Sequence, residues 1–194
     1  MQRRTLLTAT TLIAGGMLMS ETTEAQAQTP TDRENTLFMD LKDGRVVIEM
    51  RPDLAPKHVE RIKELTRKGF YDNTVFHRVI EGFMAQGGDP TGTGTGGSDL
   101  PNLPAEFSPP GKARFLRGVC GMARTMDPNS ANSQFFIMFA PAASLDGQYT
   151  IWGRVVSGME AVDKIKRGAG SSGTVRDPDH ILKMRVAADV PEGQ

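Results

Sequence analysis

Short apolar runs broken by glycine, proline and Asp-Gly constrain this chain most. They are Thr36 to Leu41, Arg45 to Met50, Thr74 to Ile80, Gly82 to Gln86, Gly118 to Ala123, Ser133 to Phe139, Tyr149 to Val156 and Ile181 to Val186. Each has the length of a strand, and helical patterns do not alternate with them in the βαβ manner. Lys42-Asp43-Gly44 is a hairpin signal, because glycine tolerates the positive φ of a tight turn. Two stretches read as helix instead. Pro56 fits a first helical turn, Val59, Ile62 and Leu65 recur at helical spacing, and Gly69 is a stop. Met159, Val162 and Ile165 repeat that spacing over Met159 to Lys166. Roughly eight strands and two helices predict a mainly β fold, a closed eight-stranded antiparallel β-barrel capped by two α-helices.

The N-terminal residues follow other rules. Met1-Gln2-Arg3-Arg4 is a positive start, Thr5 to Met19 is mostly apolar, and Ala25-Gln26-Ala27 offers the small residues of a cleavage site. That order predicts a signal peptide over residues 1–27. Its apolar stretch is too short to cross a hydrocarbon core of about 30 Å. Arg3-Arg4 before Thr5-Leu6-Leu7 resembles a twin-arginine export motif, although general secretion signals also carry paired arginines. Residues 28–34 read as a polar tail, and 35–190 as one domain, in keeping with a length of 194 residues. An exported protein is expected, periplasmic in a Gram-negative bacterium. Basic and acidic side chains balance at 23 each, so no global field points to nucleic acid or an anionic membrane. The lone Cys120, near Val119 and Met122, reads as a small buried hydrophobe on a strand.

Several kinds of chemistry find no support. Gly92-Thr93-Gly94-Thr95-Gly96-Gly97 matches G-x-G-x-x-G, but Pro90 precedes it and Pro101 and Pro104 follow, where a dinucleotide site needs a strand and a helix. A flexible surface loop is expected there. His58, His77 and His180 stand apart, without a second ligand at metal spacing, so no metal and no cofactor are expected. His58, beside Lys57, reads as solvated, and His77, with Phe76 and Val79 as neighbours, as a core histidine bonded to backbone. No G-x-S-x-G elbow or nucleophile–base pair appears.

What remains is a concentration of apolar side chains with a few strong donors. Arg78, Phe83, Met84 and Gln86 fall within nine residues, and Asn132-Ser133-Gln134-Phe135-Phe136-Ile137 repeats the mixture of amide and aromatic. Amphipathic barrel strands would account for both. An arginine and two glutamines around an apolar surface are costly as plain core, however, and suit a groove that grips a peptide backbone and buries one ring.

The run from Tyr71 through Val75-Phe76-His77-Arg78 and Phe83-Met84-Ala85-Gln86-Gly87-Gly88 resembles the signature of the cyclophilins. Gly94-Thr95-Gly96-Gly97, Pro104-Ala105-Glu106-Phe107, Gly121-Met122-Ala123-Arg124, Ser133-Gln134-Phe135-Phe136-Ile137 and Leu145-Asp146-Gly147 follow in that family's order, over residues 36–187. The resemblance implies a peptidyl-prolyl cis/trans isomerase that acts on proline-containing polypeptides and, given the leader, assists folding of exported proteins. It implies Arg78 as the catalytic guanidinium and Phe83, Met84, Phe136 and Leu145 as the pocket for the proline ring. Gln86, Ala123, Arg124 and Gln134 would line the peptide-backbone part of the groove, with Tyr149 on its wall.

Three positions depart from well-known eukaryotic members of that family. Ser144 stands where they have a tryptophan that contacts cyclosporin, Tyr149 where they have histidine, and Arg124 where they have asparagine. Tyrosine and arginine there resemble bacterial members, so weak cyclosporin binding is expected with isomerase activity intact. A non-catalytic peptide-binding holdase on the same barrel is the competing reading, which Arg78 disfavours. No charged tail suggests a docking partner, and a monomer is expected.

Overall fold

The computed structural model describes residues 32–192. The expected signal peptide over 1–27 and most of the tail lie outside the described residues. Eight strands form one sheet: β1 (Thr36–Leu41), β2 (Gly44–Met50), β3 (Arg78–Ile80), β4 (Met84–Gly87), β5 (Val119–Met122), β6 (Phe135–Met138), β7 (Ile151–Ser157) and β8 (Lys183–Val186). Their order across the sheet is β3-β4-β6-β5-β7-β2-β1-β8, with every pairing antiparallel.

The sheet curls into a half-barrel, and here the expected closed barrel is overstated. The edge strands β3 and β8 share no ladder. Chain just outside them spans the seam: Val75 bridges His180, Ile181 N–H donates to Thr74 O at 2.8 Å, and Phe76 N–H to Asp179 O at 3.0 Å. These pairings take up residues 74–77, which is why β3 begins only at Arg78. Asp72 fastens the same seam by accepting from Met184 N–H at 2.9 Å and from the Arg185 guanidinium at 2.8 Å.

Two helices pack on the sheet. The first, α1 (Pro56–Arg67), buries Val59, Ile62 and Leu65 at the spacing read from sequence, with Pro56 in its first turn. It has no local cap. Glu106, from a distant loop, accepts the N–H groups of Lys57 at 3.2 Å and His58 at 3.1 Å, and the His58 ring Nδ1 at 2.6 Å. A carboxylate at this end also complements the helix dipole. His58 is therefore fully buried, which corrects the expectation that it is solvated. The second helix, α2 (Met159–Asp163), is shorter than the pattern to Lys166 suggested, although Ile165 beyond it is still buried.

Strand β6 explains how a core and a groove share one sheet. All four of its residues are buried. Side chains alternate across a strand. Phe135 and Ile137 accordingly join the main core with Leu37, Ile48, Ile62, Tyr71 and Trp152. Phe136 and Met138 point the other way and join a second cluster with Leu54, Met84, Phe115 and Ile151. That second cluster forms the floor of the candidate site.

Candidate active site

The site is one rung of the sheet, read across its outer face. Arg78 on β3 lies opposite Gln86 on β4, Gln86 opposite Phe136 on β6, and Phe136 opposite Gly121 on β5. Strand periodicity puts all four on the face away from the main core, as it does Met84 two residues before Gln86. A Cβ at position 121 would sit 2.4 Å from the Phe136 ring and 2.7 Å from that of Phe115. Glycine there lets the Phe136 ring lie flat over the sheet, stacked on Phe115 with centroids 5.7 Å apart.

Around this rung is an apolar cavity of about 200 Å³. Phe83, Met84, Phe136 and Leu145 supply its hydrocarbon walls, Ala123 and Tyr149 close its side, and Arg78, Gln86 and Arg124 bring its polar atoms. Tyr149 stands edge-on to Phe136, with centroids 5.8 Å apart. Leu145 ends a short 3-10 turn fixed by Asp146, which accepts the Phe115 N–H at 2.7 Å. Nine of the ten residues singled out from sequence therefore meet at one cavity. The tenth, Gln134, lines a neighbouring cavity of about 540 Å³ that shares Gln86, Ala123 and Arg124 with the first.

Arg78 is held from two sides. Its Nε–H donates to the carbonyl of Ser172 at 3.0 Å and its Nη1 to Gln86 Oε1 at 3.2 Å. Gln86 passes the orientation on by donating to Gln134 Oε1 at 3.0 Å, and Gln134 donates to the carbonyls of Gly94 at 3.0 Å and Gly96 at 2.8 Å. The bonds to Ser172 and Gln86 fix the direction of the guanidinium.

The glycine-rich loop at the end of this chain of bonds is more organised than a flexible surface loop. Buried Asp89 accepts the N–H groups of Thr91 at 2.8 Å, Gly94 at 2.6 Å and Gly96 at 3.1 Å, and the Thr91 hydroxyl at 2.8 Å. Burial by itself would raise the Asp89 carboxyl, but these bonds outweigh it and hold it below the ordinary value. The amides that would cradle a phosphate are already spent on this internal anion. Asp89 escaped the sequence reading, although Asp-Pro-Thr-Gly is an Asx-turn signal that could have found it. Ser172 escaped as well, since it acts through a backbone carbonyl.

His77 is buried beside the Gly94 wall, as a core residue should be. Its Nδ1 has no partner of full hydrogen-bond geometry among the described residues, but the Val75 backbone lies close enough to favour the protonated ring, so the expected contact with backbone is present in weak form. Burial lowers its pKa, against the pull of Asp89. Among the described residues, no group of three or more His, Cys, Asp or Glu side chains is placed to hold a metal ion. Cys120 is buried on the inner face, where desolvation pushes its thiol far up.

The model of the cyclophilin-type peptidyl-prolyl cis-trans isomerases matches residues 36–186. A protein of Brucella suis biovar 1 (strain 1330) named probable peptidyl-prolyl cis-trans isomerase is 54% identical over 176 residues, covering 84% of this chain and 88% of that one. Peptidyl-prolyl cis-trans isomerase-like 1 of Gibberella zeae is 41% identical over 150 residues, covering 77% and 91%. Among solved structures, a cyclophilin of Hirschia baltica superposes with a TM-score of 0.73 at 29% identity, over 83% of this chain and 77% of that one. A cyclophilin-type isomerase of Cryptosporidium parvum, crystallised in the presence of the dipeptide Ala-Pro, gives 0.72 at 31% identity over 78% and 98%. The family model and these relatives agree, and the chain belongs to the cyclophilin-type peptidyl-prolyl cis/trans isomerases.

Proposed function

We propose that this isomerase twists Xaa-Pro bonds with Arg78 as its catalytic guanidinium, and that its clients are exported proteins. The observation that carries the first part is the doubly anchored Arg78 at the lip of a cavity of about 200 Å³ with hydrocarbon walls, large enough to admit a proline ring. Amide resonance sets a barrier of about 18–20 kcal/mol to rotation. The reaction needs neither nucleophile nor cofactor, only tighter binding of the twisted amide than of either planar form. In the twisted amide the prolyl nitrogen regains its lone pair, and a donor aimed at that nitrogen favours this state. With the ring seated against Phe83, Met84, Phe136 and Leu145, the apolar surroundings also disfavour the charge-separated planar form. Gln86 keeps one N–H free for the peptide backbone alongside, and Gln134, with both N–H groups bonded to the loop, holds Gln86 in place.

The test is isomerisation of an Xaa-Pro peptide by wild type and Arg78→Ala. A preorganised donor of this kind is worth about 10²–10³ in rate. A comparable loss in kcat/KM, with unchanged circular dichroism, is expected. Near-wild-type turnover would refute the assignment, and a folded variant that binds peptide without turnover in either form would favour the holdase reading.

The export role rests on the leader-like order of the first residues, Arg3-Arg4 ahead of an apolar stretch and Ala25-Gln26-Ala27. Fractionation of cells making the full chain should find the protein, shortened at its N-terminus, outside the cytoplasm. Weak cyclosporin binding follows from Ser144, which presents no indole beside Leu145. Submicromolar inhibition in a drug titration would contradict it. The domain is read as a monomer, which sedimentation would check.

A further inference from the structure

We propose that Arg124 makes this groove selective for proline sites flanked by an acidic side chain. The proposal rests on the reading of the groove given above and adds the class of sequence it favours.

The only charged side chains lining the two joined cavities are Arg78 and Arg124, and neither cavity is lined by a carboxylate. The hydrogen-bond partners of both guanidiniums are neutral oxygens. Arg78 bonds the Ser172 carbonyl and the Gln86 amide, and Arg124 the carbonyls of Gln148 and Thr125. Asp89 is the buried anion nearest the wall, but it lies behind the 94–96 loop with its own four donors. Neither guanidinium is therefore paired directly with a carboxylate.

Arg124 is the member placed to read a neighbour of the proline. It lines the proline cavity and also the larger one, so it stands where a ligand passes from one to the other. Its guanidinium lies over the Tyr149 ring, 4.4 Å from the centroid, with Phe107 at 5.8 Å on another side. Three of its five N–H groups are spent on Gln148 and Thr125, leaving two for a ligand. An arginine fixed by stacking loses little side-chain entropy when it meets a carboxylate. Apart from Ala123 the larger cavity is otherwise amide, hydroxyl and glycine backbone, which would accept a carboxylate and offers no anion to a lysine.

The test uses capped peptides with an Ala-Pro core and Glu, Gln or Lys placed one or two residues before the proline, or one after. An incompletely buried ion pair predicts about a two- to fivefold higher kcat/KM for Glu than for its Gln isostere at one of these positions in low salt. Lys should rank below Gln. The preference should shrink as salt rises from about 10 mM to about 0.5 M, as screening requires. Arg124→Gln should bring the Glu/Gln ratio to about one, whatever happens to absolute rate, whereas Arg124→Lys should keep a salt-sensitive part of it. A wild-type ratio of one at every position overturns the proposal, as does a preference that ignores salt or survives Arg124→Gln. Arg78→Ala assayed on the Gln peptide judges the catalytic assignment separately, because the wild-type ratio does not depend on it.

Discussion

Arg78 owes its direction to two oxygens contributed from opposite sides, the Ser172 carbonyl and the Gln86 amide. Lysine at 78 would keep the charge and lose this fork, because an ammonium on a flexible stem cannot reproduce a planar bidentate geometry. Removing one anchor is a milder test. Hydrogen bonds to charged groups contribute about 1.5–3 kcal/mol, so Gln86→Ala should lower kcat/KM by about tenfold or more while leaving the fold intact. A rate within a factor of two of wild type would mean that Ser172 alone orients the guanidinium. At this scale the sequence was informative where function sits in side chains on a strand. Arg78, Met84, Gln86 and Phe136 share a face because strand periodicity puts them there. The reading failed where the partner is remote or has no side-chain signature. His58 looked solvated because its neighbour is Lys57, and its real partner, Glu106, is 48 residues away.

The elements matter through what they allow to lie close. Strand β5 passes beneath the Phe136 ring at Gly121, and a methyl group there would meet two stacked rings. Overpacking of this kind costs about 1–3 kcal/mol. Gly121→Ala should tilt Phe136 into the proline cavity, raise KM and lower kcat/KM about tenfold, with a smaller effect on thermal stability. Peptide kinetics beside a melting curve would separate the two. The 91–96 loop depends on Asp89 in a similar way. Asp89→Ala leaves the N–H groups of Thr91, Gly94 and Gly96 without their acceptor, so amide exchange should speed up across residues 91–97. Gln134, which bonds the carbonyls of that loop, should lose order with it. Unchanged protection would show that the loop holds itself. The chain here looked loose because glycine density is visible in a sequence, whereas the single carboxylate that organises it precedes the repeat.

For the molecule as a whole, two buried histidines set a pH dependence. Burial keeps both His58 and His77 below the ordinary imidazole value of 6.5. As pH falls through about 6.5 the unfolded chain takes up protons that the folded one excludes, so stability is full above that point and declines below it. The urea midpoint should be lower at pH 5.5 than at pH 7.5, and His77→Phe should lessen the difference. Carboxylates with lowered values, Asp89 and Asp72 among them, act in a separate window at and below the ordinary aspartate value of 3.8. A flat midpoint between pH 5.5 and 7.5 would contradict the histidine account. The count of strands and helices and their antiparallel sense were legible from run lengths and turn residues. Closure was not, because whether the last two edges pair depends on the registers of Val75 and His180, which no local pattern encodes.

The borrowed cap on α1 has a consequence for synthesis. The first turn of this helix is finished by a residue 48 positions further along the chain than His58. A nascent chain that has delivered Pro56 to Arg67 but not yet Glu106 holds a helix whose leading amides face water. Glu106→Ala in the full chain should therefore speed amide exchange at the start of α1, at Lys57 and His58, ahead of the rest of the helix. The next residue, Phe107, lies beside Arg124, so one short segment ties the start of this helix to the wall of the groove.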